Sequence, residues 1–265
     1  ICDNPTGVDA LTWKEVPTPE PGKGEVRIAI KAASLNFPDL LIVQGKYQMK
    51  PNPPFVPGAE FAGVVEAVGE GVKHLSVGTS VAGFAGLGGF GTHAVAPAAV
   101  LMPLPPAFSF EDAAAFLCTY GTTYHALMDR AALKAGETVL VLGAAGGVGT
   151  AAIQLCKAFC NPCSVTVGGQ DKLDYCLKLG AEAGCDRHTD NFADKVREWT
   201  GGQGVDLILD CVGAQYLDAN IKSLNTDGRL VIIGIMGGRT AELDMGRLLI
   251  KRLKVWGSTL RSRDN

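Results

Sequence analysis

The chain has 265 residues, of which 47% are hydrophobic and 19% are charged, and its formal net charge is −3. This apolar fraction is sufficient for hydrophobic cores and excludes wholesale disorder. The mildly acidic balance argues against a general nucleic-acid binder, and no apolar run approaches the roughly 18–20 residues of a membrane-spanning helix. We therefore expect two ordinary folded domains with neither a nucleic-acid nor a membrane partner.

Proline divides the chain into two parts. Thirteen of the 14 prolines lie at or before Pro106, and proline breaks both helices and central strands. The first part is therefore predicted to consist of loops and short strands, at 25–32, 59–68, 79–84 and 92–95. Ser109 and Asp112 have the spacing of a capping box and predict the start of a helix.

From residue 138 onward, strand and helix patterns alternate. Strands are predicted at 138–142, Cys163–Val167, Ala183–Asp186, Val205–Asp210, 229–234 and 253–257, and helices at 148–159, 171–179, 192–200, 214–223 and 245–252. Continuous apolar strands suit a parallel sheet that is buried on both faces. We predict an α/β fold with a β domain at 1–115 and a doubly wound parallel sheet at 116–265.

A glycine-rich turn follows the first strand of this sheet. It runs from Gly143 to Gly149, and its candidate cofactor-binding residues are Ala145, Gly146, Gly147, Val148 and Gly149. Small residues between a strand and a helix let a pyrophosphate approach the unpaired N–H groups of the helix N-terminus. The alternative is a turn that only packs the helix on the strand.

The end of the second strand bears on the choice of dinucleotide. An NAD site usually has an acid there that binds the ribose 2′-hydroxyl, but here no acid occurs before Asp171. Lys172 follows, and Arg187 comes after the third strand. Two cations suit a 2′-phosphate and predict NADPH. The alternative is that both are solvated surface charges, with Asp171 partly neutralising Lys172.

The eight cysteines and the two chain ends are informative about the cellular compartment of the protein. Without a signal peptide, so many cysteines predict reduced thiols and a cytoplasmic protein. Cys160 and Cys163 form one C-x-x-C pair, but no second pair or histidine follows at ligand spacing, so thiols in a helix end are the expected state. Because the chain begins at Ile1 and stops at Asn265, we expect a fragment whose targeting signal could have been lost.

Several stretches together resemble a known family. They are SLNFPDLLIVQGKY (34–47), FVPGAEFAGVVEAVGEGV (55–72), TYGTTYHAL (119–127), LGAAGGVGTAAIQL (142–155), LILDCVG (207–213) and GRLVIIGIMGG (228–238). The chain resembles the medium-chain dehydrogenase/reductases, and within them the zinc-free quinone oxidoreductases of the zeta-crystallin type. The resemblance implies that the first domain is a GroES-like catalytic domain packed on a Rossmann domain, and that the family's C-terminal return segment is absent here.

The family comparison also bears on metal. Zinc members carry cysteine and histidine at positions that here read Asn36-Phe37-Pro38-Asp39 and Gly58-Ala59-Glu60, and residues 80–95 contain no cysteine for a structural zinc lobe. Zinc favours thiolate and imidazole ligands. No metal is therefore expected, and Glu60 is expected to be a structural, hydrogen-bonding carboxylate.

The resemblance places two candidate catalytic residues at the substrate. Hydride transfer to a quinone or an α,β-unsaturated carbonyl develops negative charge on an oxygen, which a nearby hydrogen-bond donor stabilises. Asn36 would supply an amide donor, and Tyr47 would supply a phenol. The alternatives are that Asn36 is a turn residue and that Tyr47 packs beside Gly45.

Further cofactor contacts are implied by the family alone. They are Thr122, Cys211, Val212, Gly234, Ile235 and Met236. The last five follow the fourth and fifth strands, on the edge where such sheets bind ligands. The alternatives are an ordinary helix hydroxyl for Thr122 and core filling for Met236.

We expect an NADPH-dependent reductase of small quinones or enones that acts without metal. The family also implies a homodimer that pairs through the sixth strand. Two other functions stay open, a reductase of acryloyl or enoyl thioesters and a non-catalytic nucleotide-binding fragment. The intact glycine turn together with Asn36 and Tyr47 favours chemistry over the last of these.

Overall fold

A computed structural model describes residues 1–261 of the chain. Residues 1–118 form one compact unit, and the chain from Thr119 onward forms the second. Residues 262–265, which close the predicted second domain, lie outside the described residues.

The first unit is built on an antiparallel sheet. Its strands are β1 (Glu25–Ser34), β2 (Glu60–Val68), β3 (Ser80–Phe84), β4 (His93–Pro97) and β5 (Leu101–Pro103), in the order β4-β1-β2-β3-β5. Val26, Ile28, Phe61, Val65 and Val81 are among the fully buried side chains of its core. The four predicted strands are confirmed, with small shifts at their ends, while β5 was not predicted.

Two short helices of this unit have clear start signals. The helix α1 (Phe37–Val43) was not predicted, because the proline-rich first part was expected to hold only loops and short strands. Proline is tolerated in the first turn of a helix, and the backbone N–H of Asn36 donates to the Asp39 carboxylate at 2.9 Å. The helix α2 (Phe110–Ala114) begins at Ser109 as predicted, with Ser109 Oγ accepting from the Asp112 N–H at 3.0 Å. The Asp112 carboxylate accepts from the Ser109 hydroxyl at 2.7 Å rather than from its backbone.

The helix α3 (Leu117–Tyr124) leads into a π-helical turn at His125–Arg130 and then into a parallel sheet. The strands of this sheet are β6 (Val139–Leu142), β7 (Cys163–Val167), β8 (Ala183–Asp186), β9 (Val205–Asp210), β10 (Leu224–Ile232) and β11 (Lys254–Gly257). Their order is β11-β10-β9-β6-β7-β8, so the sheet winds outward in both directions from β6. This is the predicted Rossmann topology.

The remaining helices connect these strands. They are α4 (Gly147–Ala158), α5 (Gln170–Leu179), α6 (Phe192–Trp199), α7 (Leu217–Ser223) and α8 (Met245–Ile250), with a 3₁₀ turn at Ala214–Tyr216 before α7. The predicted helix 214–223 is therefore split, and β10 begins earlier than the predicted residue 229.

The central strands are buried on both faces. Val139 and Val141 of β6 belong to the core on one side of the sheet, and Leu140 and Leu142 belong to the core on the other. This alternation confirms the two-sided burial inferred from the continuous apolar runs. Among the described residues, no helix is both long enough and apolar enough to cross a membrane.

Candidate functional site

The glycine turn between β6 and α4 is held by close backbone packing. Gly143 has a positive φ of 64°, a region that favours glycine. A Cβ built on Gly149 would lie 2.4 Å from both the Cα and the carbonyl oxygen of Ala144. The first turn of α4 therefore rests directly on its own loop, and Gly149 is required by the fold itself.

Gly146 differs from these two positions. It is the N-cap of α4, has an ordinary φ of −84° and makes no side-chain cap. A Cβ built on it would meet only the Gly143 carbonyl oxygen, at 3.6 Å. The fold would tolerate a side chain there, so the turn presents exposed backbone and the positive end of a twelve-residue helix to solvent.

The turn opens onto a cavity of about 450 Å³ in the second unit. The cavity lies at the carboxyl ends of the parallel strands, where open α/β sheets bind their ligands. Its lining comprises Gly143, Ala145, Gly146, Thr166, Val167, Gly168, Lys172, Arg187, Val212, Gln215, Tyr216, Met236 and Gly237.

Six of the predicted cofactor residues line this cavity. They are Ala145, Gly146, Lys172, Arg187, Val212 and Met236. With 57% of its surface exposed, Met236 does not fill the core. Six further lining residues were missed by the sequence reasoning, namely Thr166, Val167, Gly168, Gln215, Tyr216 and Gly237.

The other seven predicted cofactor residues lie outside the lining. They are Thr122, Gly147, Val148, Gly149, Cys211, Gly234 and Ile235. Three of these are the first residues of α4, and the carbonyl of Val148 accepts from Thr123 Oγ1 at 3.1 Å. Thr123 therefore ties α3 to the start of α4, and the cofactor contact expected of the neighbouring Thr122 stays a prediction.

The charge of the cavity is carried by two cations. Lys172 lies in the first turn of α5, and Arg187 directly follows β8. Neither forms a salt bridge with any described residue, and no carboxylate is found among the described lining residues. Asp171, the acid considered as a partner for Lys172, is exposed and outside the lining.

A buried carboxylate organises the loop after β9. Asp210 Oδ1 accepts from the backbone N–H groups of Val212 at 2.6 Å and Gly213 at 3.0 Å, and Asp210 Oδ2 accepts from Asn220 Nδ2 at 2.9 Å. Burial raises the pKa of Asp210, and these three hydrogen bonds oppose the shift. Burial, together with the Asp210 charge, also raises the pKa of Cys211, to about 11. Asp210 thus fixes the backbone that carries Val212 to the cavity wall.

In the first unit, polar groups converge on a second buried carboxylate. Glu60, at 0% exposure, accepts from Ser34 Oγ at 2.7 Å and from Asn36 Nδ2 at 3.0 Å, both at Oε2. Its Oε1 accepts from the backbone N–H of Cys118 at 2.8 Å. Glu60 is therefore the structural, hydrogen-bonding carboxylate that the sequence predicted.

The two candidate catalytic residues lie before and after α1. Asn36 Nδ2 donates to Ser34 Oγ at 2.9 Å as well as to Glu60, so both amide hydrogens already have acceptors. Tyr47 is half-buried and packs against a small apolar cluster that includes Ile42, Val43 and Phe55. No described contact joins Asn36 to Tyr47, and their catalytic roles stay predictions.

The carboxylates at the family's zinc positions are engaged by the protein. Asp39 accepts from the backbone N–H groups of Asn36 and Ala59, each at 2.9 Å, and Glu60 has three donors. Zinc binds thiolate, imidazole or free carboxylate ligands, and residues 1–261 contain no cluster of three such side chains that could hold a metal ion. These residues do not fit a zinc ion.

The chain matches two known domain families and many known proteins. Residues 22–106 match the alcohol dehydrogenase GroES-like domain, and residues 147–265 match the zinc-binding dehydrogenase family. A quinone oxidoreductase-like protein 2 homolog from Nematostella vectensis is 34% identical over 97% of this chain and 71% of that protein. A mycocerosic acid synthase-like polyketide synthase from Mycobacterium tuberculosis is 37% identical over 81% of this chain but only 10% of its own length.

Solved structures agree with this relationship. The crystal structure of Escherichia coli quinone oxidoreductase complexed with NADPH is 32% identical, covers 96% of this chain and 78% of that one, and has a TM-score of 0.88. The GroES-like unit and the Rossmann unit thus define an oxidoreductase of the medium-chain dehydrogenase/reductase class. Within that class, the chain belongs to the quinone oxidoreductase family.

Proposed function

We propose that this protein is an NADPH-dependent reductase of quinones or other α,β-unsaturated carbonyl compounds. The observation that carries the proposal is the cavity where the α4 N-terminus meets two cations, Lys172 and Arg187, with no carboxylate among its described lining residues. An Escherichia coli relative complexed with NADPH supports the same cofactor class.

The residues present fit a nicotinamide dinucleotide. The fold tolerates a Cβ at Gly146, yet the position is glycine and faces the cavity, as the close approach of a pyrophosphate requires. The N–H groups at the start of α4, which Gly146 leads up to from the cavity wall, would hold that pyrophosphate. Lys172 and Arg187 would bind the 2′-phosphate that distinguishes NADPH from NADH.

When bound, the reduced nicotinamide supplies a hydride to an electron-poor acceptor. A carbonyl oxygen of that acceptor gains negative charge, and a proton from solvent completes the two-electron reduction. We assign Tyr47 the hydrogen bond that stabilises this oxygen. Asn36 Nδ2 already donates to Ser34 Oγ and Glu60 Oε2. Asn36 would therefore donate to the substrate oxygen only if it gave up one of these two hydrogen bonds.

The reaction is proposed to proceed without zinc. This rests on the donor set, since Asp39 and Glu60 direct their carboxylate oxygens at protein N–H and O–H groups. In this proposal the electrostatic stabilisation that a metal would give comes from hydrogen-bond donors.

The proposal is tested by following NADPH oxidation in the presence of a small quinone, with NADH in parallel. We expect quinone-dependent turnover that prefers NADPH, and a large loss of turnover in Tyr47→Phe with NADPH binding retained. Turnover with NADH alone, or none with any quinone or enone, would overturn the proposal. Gly146→Ala serves as the binding-deficient control, because its fold should be intact.

A thioester reductase is the second candidate. The similarity to part of a mycobacterial polyketide synthase favours it. The same assay with a crotonyl thioester distinguishes the two, since turnover with the thioester but not with quinones would favour this second function.

We also propose that the protein forms a homodimer through β11. This strand lies at one end of the sheet order and pairs, within the described part of the chain, with β10 alone. On the helix that precedes it, Leu249 and Ile250 are 78% and 77% exposed, and an exposed apolar surface beside an unpaired strand edge is typical of an association site. Light scattering should give twice the chain mass, and a monomer at micromolar concentration would contradict this.

A further inference from the structure

We propose that His188 is a third recognition group for the 2′-phosphate, beside Lys172 and Arg187. This inference rests on the proposed use of NADPH and adds a specificity-determining residue to that site. His188 was not among the residues that the sequence singled out.

The geometry at Gly168 carries the inference. Gly168 follows β7 and lines the cavity. A methyl group built on it would lie 3.0 Å from His188 Nε2 and 3.1 Å from Arg187 Nε. Both side chains therefore turn back over the same glycine, Arg187 within the cavity lining and His188 beside it, although each is exposed and free to point into solvent.

The backbone after β8 holds this pair in place. The Arg187 N–H donates to the Val167 carbonyl at 2.8 Å, which fixes the chain against the end of β7. The His188 N–H donates to Asp186 Oδ1 at 3.0 Å. The Asp186 carboxylate accepts from the backbone N–H groups of His188 and Gly169 and does not line the cavity, although its charge also acts on the His188 and Arg187 side chains.

The ring of His188 has no hydrogen bond or ion pair within the described part of the chain. A phosphate monoester has three strongly accepting oxygens. The Lys172 ammonium, the Arg187 guanidinium and the His188 imidazole N–H would together supply donors for all three. NADH has a neutral hydroxyl at this position, so His188 is expected to contribute to NADPH binding alone.

The test measures dissociation constants of NADPH and NADH by isothermal titration calorimetry for the unmodified chain and for His188→Ala. Loss of one charge-assisted hydrogen bond at an exposed site should weaken NADPH binding roughly five- to tenfold and change NADH binding less than twofold. His188→Gln, which keeps a nitrogen donor, should retain part of the preference. Lys178→Ala removes an exposed cation elsewhere on α5 and is the matched control.

The outcomes separate this inference from the proposed function. If the unmodified chain prefers NADPH and His188→Ala keeps the same preference, the role of His188 is overturned while the proposed function stands. Equal weakening of NADPH and NADH would also overturn it. If the unmodified chain binds neither coenzyme, both proposals fail.

Discussion

Glu60 accepts a hydrogen bond from Asn36 Nδ2 at 3.0 Å and is completely buried. The same carboxylate also takes the Ser34 hydroxyl and the Cys118 backbone N–H. Glu60 therefore connects β1, the start of α1 and the start of α3 through a single ionisable side chain. A carboxylate offers only acceptors, so this arrangement fixes the orientation of the Asn36 amide.

The first prediction concerns removal of that carboxylate. Glu60→Ala removes the acceptor of three donors, the buried Cys118 N–H and the half-buried side chains of Ser34 and Asn36, and we expect it to lower the free energy of unfolding by about 3 kcal/mol or more. Glu66→Ala is the matched control, because Glu66 is 40% exposed where it faces Arg27 and His93, and exposed pairs contribute about 1 kcal/mol or less. Urea unfolding of both variants measures the two losses of stability. Equal losses would contradict the structural role of Glu60.

The second prediction compares two glycines of one turn. Gly149→Ala places a methyl group 2.4 Å from Ala144 backbone atoms, so we expect it to destabilise the fold by about 2–4 kcal/mol. Gly146→Ala meets nothing closer than 3.6 Å and should unfold at nearly the same temperature as the unmodified chain. Its NADPH affinity should nevertheless fall roughly tenfold or more, since the methyl group occupies the approach of the pyrophosphate.

Thermal unfolding and coenzyme titration of both variants test this pair. Undiminished NADPH binding by Gly146→Ala would show that the dinucleotide does not approach this turn.

The third prediction concerns the pH dependence of stability. Burial raises the pKa of Asp210 above its ordinary value of 3.8, so the folded chain holds this proton more tightly than the unfolded chain. The contribution to stability is complete below pH about 3.8 and is lost as the pH rises through the folded pKa. Asp210→Asn cannot titrate, so its stability relative to the unmodified chain should increase as the pH is raised from about 4.

The check is to measure the unfolding free energies of Asp210→Asn and of the unmodified chain as the pH is raised from about 4. If the difference between them stayed constant or fell, a raised pKa for Asp210 would be refuted. Asp210→Ala is the companion variant. It removes the acceptor for Val212 and Gly213 and should cost about 2–4 kcal/mol near pH 4, and this cost should fall as the pH rises, because the unmodified chain alone loses stability through the titration of Asp210.

The fourth prediction concerns thiol reactivity. Cys160 is exposed, whereas the other seven cysteines are buried or, for Cys211, half-buried. Reaction requires access and thiolate, and burial holds the pKa of Cys211 at about 11. A maleimide at neutral pH should therefore label Cys160 rapidly and the others slowly. Mass spectrometry after a short exposure should show one adduct that Cys160→Ser abolishes; rapid labelling of Cys211 would contradict the account.

The sequence predicted strand boundaries best where they depend only on neighbouring residues. Cys163–Val167, Ala183–Asp186 and Val205–Asp210 were predicted to the residue, because short apolar runs between turn residues define buried strands well. The start of β10 was missed because Asn225-Thr226-Asp227-Gly228 has the composition of a turn, and Asp227 does have a φ of +62°. Strand pairing with β9 extends the strand to Leu224 regardless.

The residues of the candidate site likewise include some that the sequence could predict and some that it could not. The glycine turn and the two cations could be predicted because each follows one of three consecutive strands, β6, β7 and β8, whose carboxyl ends share one sheet edge. Gly168, Gln215 and Tyr216 could not, since they meet only when separate strand ends converge at one sheet edge. The hydrogen bonds that occupy the Asn36 amide also depend on Glu60, which lies 24 residues further along the chain.

Direct titration with reduced coenzymes tests the central claim, that a dinucleotide with a 2′-phosphate binds where α4 begins. Nicotinamide fluorescence should change saturably with both coenzymes, with NADPH bound roughly tenfold or more tightly than NADH. Lys172→Ala combined with Arg187→Ala should bring the two affinities closer together by weakening NADPH alone. The absence of any saturable change, or tighter binding of NADH, would contradict the account.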